Sequence, residues 1–177
     1  MIINTPTEPE VTSKVPGNNN AIYGPVPERD QIFRIEFLEI APLPIPVNRI
    51  FFVYLRGWIL PSKSLDLERN DDLDTATLSI SASAVFPDGE CEEPRTYTVP
   101  LRTTAFADTA HLSIRDATGT HVDCLTASGN NDILTDYWIP GMFLRTGMWT
   151  FEVVAKLEDG TCLFAVSLTQ WLEKRSL

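Results

Sequence analysis

The chain has 177 residues, with 14 Lys and Arg against 24 Asp and Glu, 44% hydrophobic residues and 21% charged ones. That length suits one domain with room for a sizeable core, and that composition is not one of wholesale disorder. A net charge of -10 with no basic cluster to offset it repels phosphate backbones, so nucleic acid is a poor candidate partner.

Residues 1–29 carry Pro6, Pro9, Pro16, Pro25 and Pro27 and the run Gly17-Asn18-Asn19-Asn20, a composition of extended backbone. We read them as an N-terminal arm, laid against a domain of residues 30–177 at Val15 to Val26. Met1 to Lys14 show no basic flank followed by an apolar core, so no secretory signal is visible. No run approaches the ~18 apolar residues of a membrane span, so no integral membrane segment is expected.

Ile32 to Ile40 is rich in aromatic and β-branched residues and reads as a strand. Pro42-Leu43-Pro44-Ile45-Pro46 follows; alternate prolines cannot feed a sheet ladder, which predicts a bend or a crossover between sheets. Arg49 to Leu60 puts Phe51, Val53, Leu55 and Ile59 on one face and Phe52, Tyr54, Arg56 and Trp58 on the other. A strand apolar on both sides is covered on both sides. The outer stripe of Phe52, Tyr54 and Trp58 either meets a second copy of the chain or lies under the segment 95–120; a homodimer is slightly favoured, because such a stripe left bare is an aggregation liability.

Ser62 to Asp74 is polar and acidic and reads as a loop. Leu78, Ile80, Ala82 and Ala84 then alternate with Ser79, Ser81, Ser83 and Val85, a strand with a solvated outer face that ends at Pro87-Asp88-Gly89. Tyr97 to Arg102 and His111 to Arg115 are weaker strand candidates. Ile133 to Ile139 follows Gly129-Asn130-Asn131, and Pro140 to Leu144 leads into the clearest pattern in the chain. There Trp149, Phe151, Val153, Ala155 and Leu157 alternate with Met148, Thr150, Glu152, Val154 and Lys156, and Asp159-Gly160 turns into a second apolar run. This is a hairpin signal, read here as a sandwich edge. With about seven to nine strands at turn spacings of roughly 8–12 residues, no long amphipathic helix and no repeat, the fold class is all-β, two antiparallel sheets packed as a sandwich.

Motifs for chemistry are sparse. There is no Gly-x-Ser-x-Gly and no glycine-rich phosphate cradle. The two histidines, His111 and His121, are too few for a closed zinc site even with His121-Val122-Asp123-Cys124, and Asp71-Asp72-Asp74 and Glu90-Glu92-Glu93 lack the spacing of a calcium loop. No metal and no cofactor are expected. Three cysteines, Cys91, Cys124 and Cys162, allow one bridge at most; Cys162 alternates with Phe164 and Val166 and reads as a buried structural residue rather than a nucleophile.

Val15-Pro16-Gly17-Asn18-Asn19, Tyr23, and Ile32-Phe33-Arg34-Ile35 leading to Ile40-Ala41-Pro42-Leu43-Pro44 resemble the opening of the fungal phosphatidylglycerol/phosphatidylinositol transfer proteins of the ML lipid-recognition family. Gly57, Gly147-x-Trp149, Glu158-Asp159-Gly160 and Cys162-Leu163 resemble its second-strand glycine, late strand, acidic turn and closing strand. The resemblance covers most of Val15 to Leu168. It implies an immunoglobulin-like β-sandwich with an apolar cavity between the sheets that holds a lipid or sterol. It also implies a Cys91–Cys124 disulfide and a secreted or vacuolar location. The chain has Tyr23-Gly24 where the family has Tyr-Cys, so Cys162 loses its partner, and the missing bridge and leader leave the cytoplasm open as well.

Two functional readings follow. The first is a carrier or transfer protein for a hydrophobic small molecule, a lipid, sterol or polyketide- or terpenoid-like compound. Its ligand contacts are Phe33, Phe51, Val53, Leu55, Leu125, Met142, Phe143, Leu144, Trp149, Phe151, Val153 and Phe164. Met142-Phe143-Leu144 forms the mouth, Cys124-Leu125 and the proline bend its rim by the family's arrangement, and Arg145, Arg56 and Tyr54 supply polar contacts. The second is a cofactor-free cyclase or isomerase of secondary metabolism, which folds a flexible apolar substrate in the same pocket, with Tyr54, Arg56, His121 and Asp123 as candidate acids, bases or donors. A surface interaction module with a filled core is the least favoured reading.

Overall fold

The structure is a computed structural model and describes residues 13–63, 72–107 and 110–174. Its strands are β1 (Ile22–Tyr23), β2 (Phe33–Ala41), β3 (Ile50–Ile59), β4 (Thr77–Val85), β5 (Cys91–Pro100), β6 (Thr104–Ala107), β7 (Ala110–Arg115), β8 (His121–Val122), β9 (Asn130–Trp138), β10 (Gly147–Lys156) and β11 (Cys162–Leu172). One sheet runs β1-β11-β10-β4-β5 and the other β2-β3-β9-β7-β6, with β8 attached to β7. The pairings are antiparallel, and the two sheets form an all-β sandwich. The short β1, β6 and β8 raise the strand number above the seven to nine expected, because two to four residues are too few to show a period.

The alternating hairpin forms as its sequence requires. Gly160 holds φ at +88°, Asp159 Oδ1 accepts from Thr161 N at 2.8 Å, and Leu157 N donates to Thr161 O at 2.9 Å. It is not at an edge, however. β10 lies between β4 and β11, and β1 pairs with the far side of β11, so both hairpin strands are paired on both sides. Residues before β1 also contribute: Val15 and Ala21 are buried in the core, and Pro16 O and Asn18 O accept from Leu38 N and Ile40 N.

The proline segment is a bend and not a crossover between sheets, since β2 and β3, which it joins, are neighbours in one sheet. Consecutive strands stay adjacent here because the long connection has only to return along the same sheet. The segment nevertheless reaches the opposite sheet at Ile45, whose backbone pairs with Gln170 of β11. The alternative cover for the outer stripe also fails. Residues 95–100 belong to the other sheet, and β6 and β7 extend the second sheet beyond β9, so neither lies over Phe52, Tyr54 or Trp58.

Candidate functional site

The inner faces of the two sheets are set by register. In the first sheet, one cross-strand row is Ile80, Val153 and Val166, and the next is Ala82, Phe151 and Leu168. In the second, Val53 lies beside Ile40 and Thr135, and Leu55 beside Leu38 and Ile133. Sheets pack ~10 Å apart, and the short branched side chains in these middle rows do not reach across that gap. An apolar pocket of about 240 Å³ remains between them, lined by these residues together with Phe51, Leu78, Leu112, Tyr137, Phe164 and others. Val53, Phe151, Val153 and Val166 are only half-buried although they sit on inner faces, because their free surface is turned towards this space.

Ile45, held by the Gln170 amide, lines one end. The other opens beside β5 and the end of β9, where the lining residues Tyr97 and Trp138 are 49% and 37% exposed and the Arg95 side chain is largely in solvent. Polar groups gather at this open end. Burial holds the Tyr137 phenol well above the ordinary tyrosine range; Thr135 acts against that rise and the nearby Tyr97 adds to it. Burial raises Tyr97 as well. Thr135 Oγ1 is buried without a hydrogen-bond partner of normal geometry. Among the described residues, Arg95 is the one charged side chain of the lining, and it pairs with Glu92 at 2.9 Å.

Of the ligand contacts expected from sequence, Phe51, Val53, Leu55, Phe151, Val153 and Phe164 are brought together around this pocket. Phe33 is buried behind it, its ring 5.5 Å from that of Phe164, and Leu125 is buried in the same core without lining the pocket. Trp149 faces inward but lies one pair beyond Phe151, in a second core cluster with Leu144, Val47, Phe86 and Leu172. Met142 and Phe143 are on the surface, Phe143 at 82% exposure, in the 3-10 turn Gly141–Phe143. The expected mouth at 142–144 is therefore separate from the opening at β5. Arg145 is held there by Asp88 and Glu90 and lies over the Phe86 ring.

Sequence reasoning passed over Ile80, Ala82, Val166, Thr135, Tyr137, Tyr97 and Arg95 as ligand contacts. The β4 alternation and the Ile133-Thr135-Tyr137 period do carry the signal for four of them once the strands are paired. Arg95 has no signal of its own, since its place depends on β5 joining β4.

The four catalytic candidates are elsewhere. Tyr54 and Arg56 are on the outer face of the second sheet, where Tyr54 OH donates to Asp132 Oδ1 at 3.0 Å. Arg56 grips both oxygens of the same carboxylate, Nε to Oδ1 at 2.7 Å and Nη2 to Oδ2 at 3.0 Å. The Arg56 hydrogen bond holds Asp132 below the ordinary carboxylate range, and burial leads the rise of Tyr54. His121 is exposed, with Nδ1 3.2 Å from Ser113 Oγ, and Asp123 is exposed in the loop after β8, 3.8 Å from Arg102. None of the four lines the inter-sheet pocket.

Cys91, Cys124 and Cys162 are free thiols, so the Cys91–Cys124 bridge implied by resemblance is not formed. Cys91 begins an exposed edge strand, whereas Cys124 Sγ donates to Asp74 Oδ1 at 3.0 Å. Among the described residues, no group of three or more His, Cys, Asp or Glu side chains converges as a metal site would require. Among the described residues, no helix is long and apolar enough to cross a membrane. In comparisons with known proteins, no family model matches the chain and no curated protein matches it significantly. The class that fold and register define is a two-sheet antiparallel β-sandwich, and function has to be argued from what lies between the sheets.

Proposed function

We propose that this protein binds a hydrophobic small molecule between its two sheets and acts as a carrier or transfer protein. The observation that supports this reading is the pocket lining, which is almost wholly apolar and drawn from both sheets, with Arg95 and Tyr97 at an exposed edge. A space of about 240 Å³ is roughly eight times the ~30 Å³ share of a water-sized group, enough for a chain or small ring system of about eight heavy atoms. At ~0.8 kcal/mol per buried methylene, such a guest gains on the order of 6 kcal/mol before ordering costs.

The catalytic alternative draws less support. The side chains expected to act as acid or base lie outside this space, and the two phenols that do line it, Tyr97 and Tyr137, are both raised by burial, which disfavours them as bases. The test is an NMR titration with octan-1-ol. Saturable shifts at the methyl groups of Ile80, Val153 and Val166 are expected, and no saturable shift at any of them would defeat the proposal.

A further inference from the structure

We infer that the ligand is an amphiphile with one small anionic head, held at the β5 opening by Arg95 with the Tyr97 and Tyr137 hydroxyls and Thr135 beside it. The inference rests on the reading of the inter-sheet space as a ligand site and goes beyond it by fixing the direction of entry and the chemistry of the head group.

Three observations carry it. First, the polarity of the lining is one-sided. Apart from Thr135 beside Val53 the walls offer only apolar side chains, and at the Ile45 end the Gln170 amide is taken up by the Ile45 backbone, so a ligand with two separated polar ends would bury one of them without a partner, which costs more than an apolar contact returns. Second, the exposed lining residues Arg95, Tyr97 and Trp138 share one edge, so the polar end of a guest is also the end that meets water. Third, register fixes Arg95. It pairs with Ala82, an inner-face residue, as Tyr97 pairs with Ile80, so both side chains leave β5 on the pocket side of the strand. A guanidinium fork is matched to a carboxylate or phosphate rather than to an alcohol or ester.

Glu92 already engages this guanidinium at 2.9 Å. The ligand's head therefore competes with, or shares Arg95 with, a carboxylate of the chain itself. That internal competition gives the proposal a second handle that leaves the apolar walls untouched.

The experiment compares octanoate, octyl phosphate and octan-1-ol by NMR titration at neutral pH on the wild-type chain and on Arg95→Gln and Glu92→Gln. An anion preference of about fivefold over the alcohol is expected for the wild type, the scale of one largely solvated ion pair. Arg95→Gln should bring both anions down to the affinity that the same variant shows for octan-1-ol, and Glu92→Gln should widen the ratio of anion to alcohol binding. Either anion above the alcohol upholds the proposal, and which of the two binds tighter identifies the head group. Equal binding of all three to the wild type, or a preference that survives Arg95→Gln, overturns the head-group assignment and leaves the pocket reading standing. Absence of binding by all three overturns both.

Discussion

Gln170 and Ile45 join the two sheets through a closed pair of hydrogen bonds: Ile45 N donates to Gln170 Oε1 at 2.8 Å, and Gln170 Nε2 donates to Ile45 O at 2.9 Å. Gln170 follows Leu168 on the inner face of β11 and lies opposite Trp149, so this pair stands between the pocket and the second core cluster. A side-chain amide here does what a strand cannot, because Pro44 and Pro46 deprive the bend of a ladder partner. Gln170→Ala leaves both backbone groups of Ile45 without their partner and should cost about 1–3 kcal/mol, read from denaturant unfolding. A loss within error would show that the bend is held by packing alone.

The two openings suggested by sequence and by structure can be told apart with one pair of substitutions. Ala82→Phe places a ring into space that is already empty, so it avoids most of the ~1–3 kcal/mol that overpacking a filled core costs. Octan-1-ol binding should be lost with the melting temperature nearly unchanged. Phe143→Asp alters a side chain that is almost wholly in solvent, and should change neither binding nor stability. The reverse pattern would move the entrance back to the Gly141–Phe143 turn.

What was legible in the sequence follows from which interactions are local. The β10–β11 hairpin could be read outright, because period-two alternation and an Asp-Gly turn are contained in consecutive residues. Val153 and Phe151 were identified as inward for the same reason. Strand partners are not written locally, so alternation alone reads β10 as an edge although β4 covers it, and only the pairing of β5 with β4 brings Arg95 to the pocket. Three large apolar residues at 142–144 suggested a concealed mouth. Only Leu144 is buried, because the 3-10 turn directs its two predecessors outward and spends the third on Trp149.

The Asp132 cluster on the outer face should give the acid limb of stability a dependence on one carboxylate. Its pKa is lowered in the folded chain, first by the Arg56 hydrogen bond, so its stabilisation is present above the unfolded aspartate pKa and is lost as pH falls through the folded one. Discounted for the solvent screening of a partly exposed pair, the contribution is about 1 kcal/mol or less. Asp132→Asn should lower stability at neutral pH and flatten the decline below the ordinary aspartate range, with octan-1-ol binding intact. Unfolding free energies across that range check it; parallel wild-type and variant curves would contradict it.

Thiol reactivity should follow environment rather than number. Cys124 is pushed up to about 11, chiefly by burial and then by its bond to Asp74, so it is almost wholly the unreactive thiol at neutral pH. Iodoacetamide should therefore modify the exposed Cys91 first, with Cys124 following only as pH approaches that value. Asp74→Asn removes the carboxylate and should bring the onset of Cys124 labelling to lower pH. Peptide mapping across a pH series reads both, and early labelling of Cys124 would refute the assignment.

Gly57 is the position where a single added carbon should do most harm. A Cβ there would lie 2.2 Å from Arg34 O and 2.4 Å from Phe33 Cε1, and the carbonyl belongs to the neighbouring strand's backbone and cannot swing aside. The glycine makes room for the Phe33 ring, whose centroid lies 5.5 Å from that of Phe164, which in turn lines the pocket. Gly57→Ala thus forces either a shift of β2 against β3 or a displaced ring, at a cost of about 3 kcal/mol or more given that overpacking without backbone conflict already costs ~1–3. Phe33→Leu in the same chain relieves the ring contact but not the carbonyl contact. The double variant should therefore recover only part of the lost stability in denaturant unfolding, and full recovery would show that the ring alone requires the glycine.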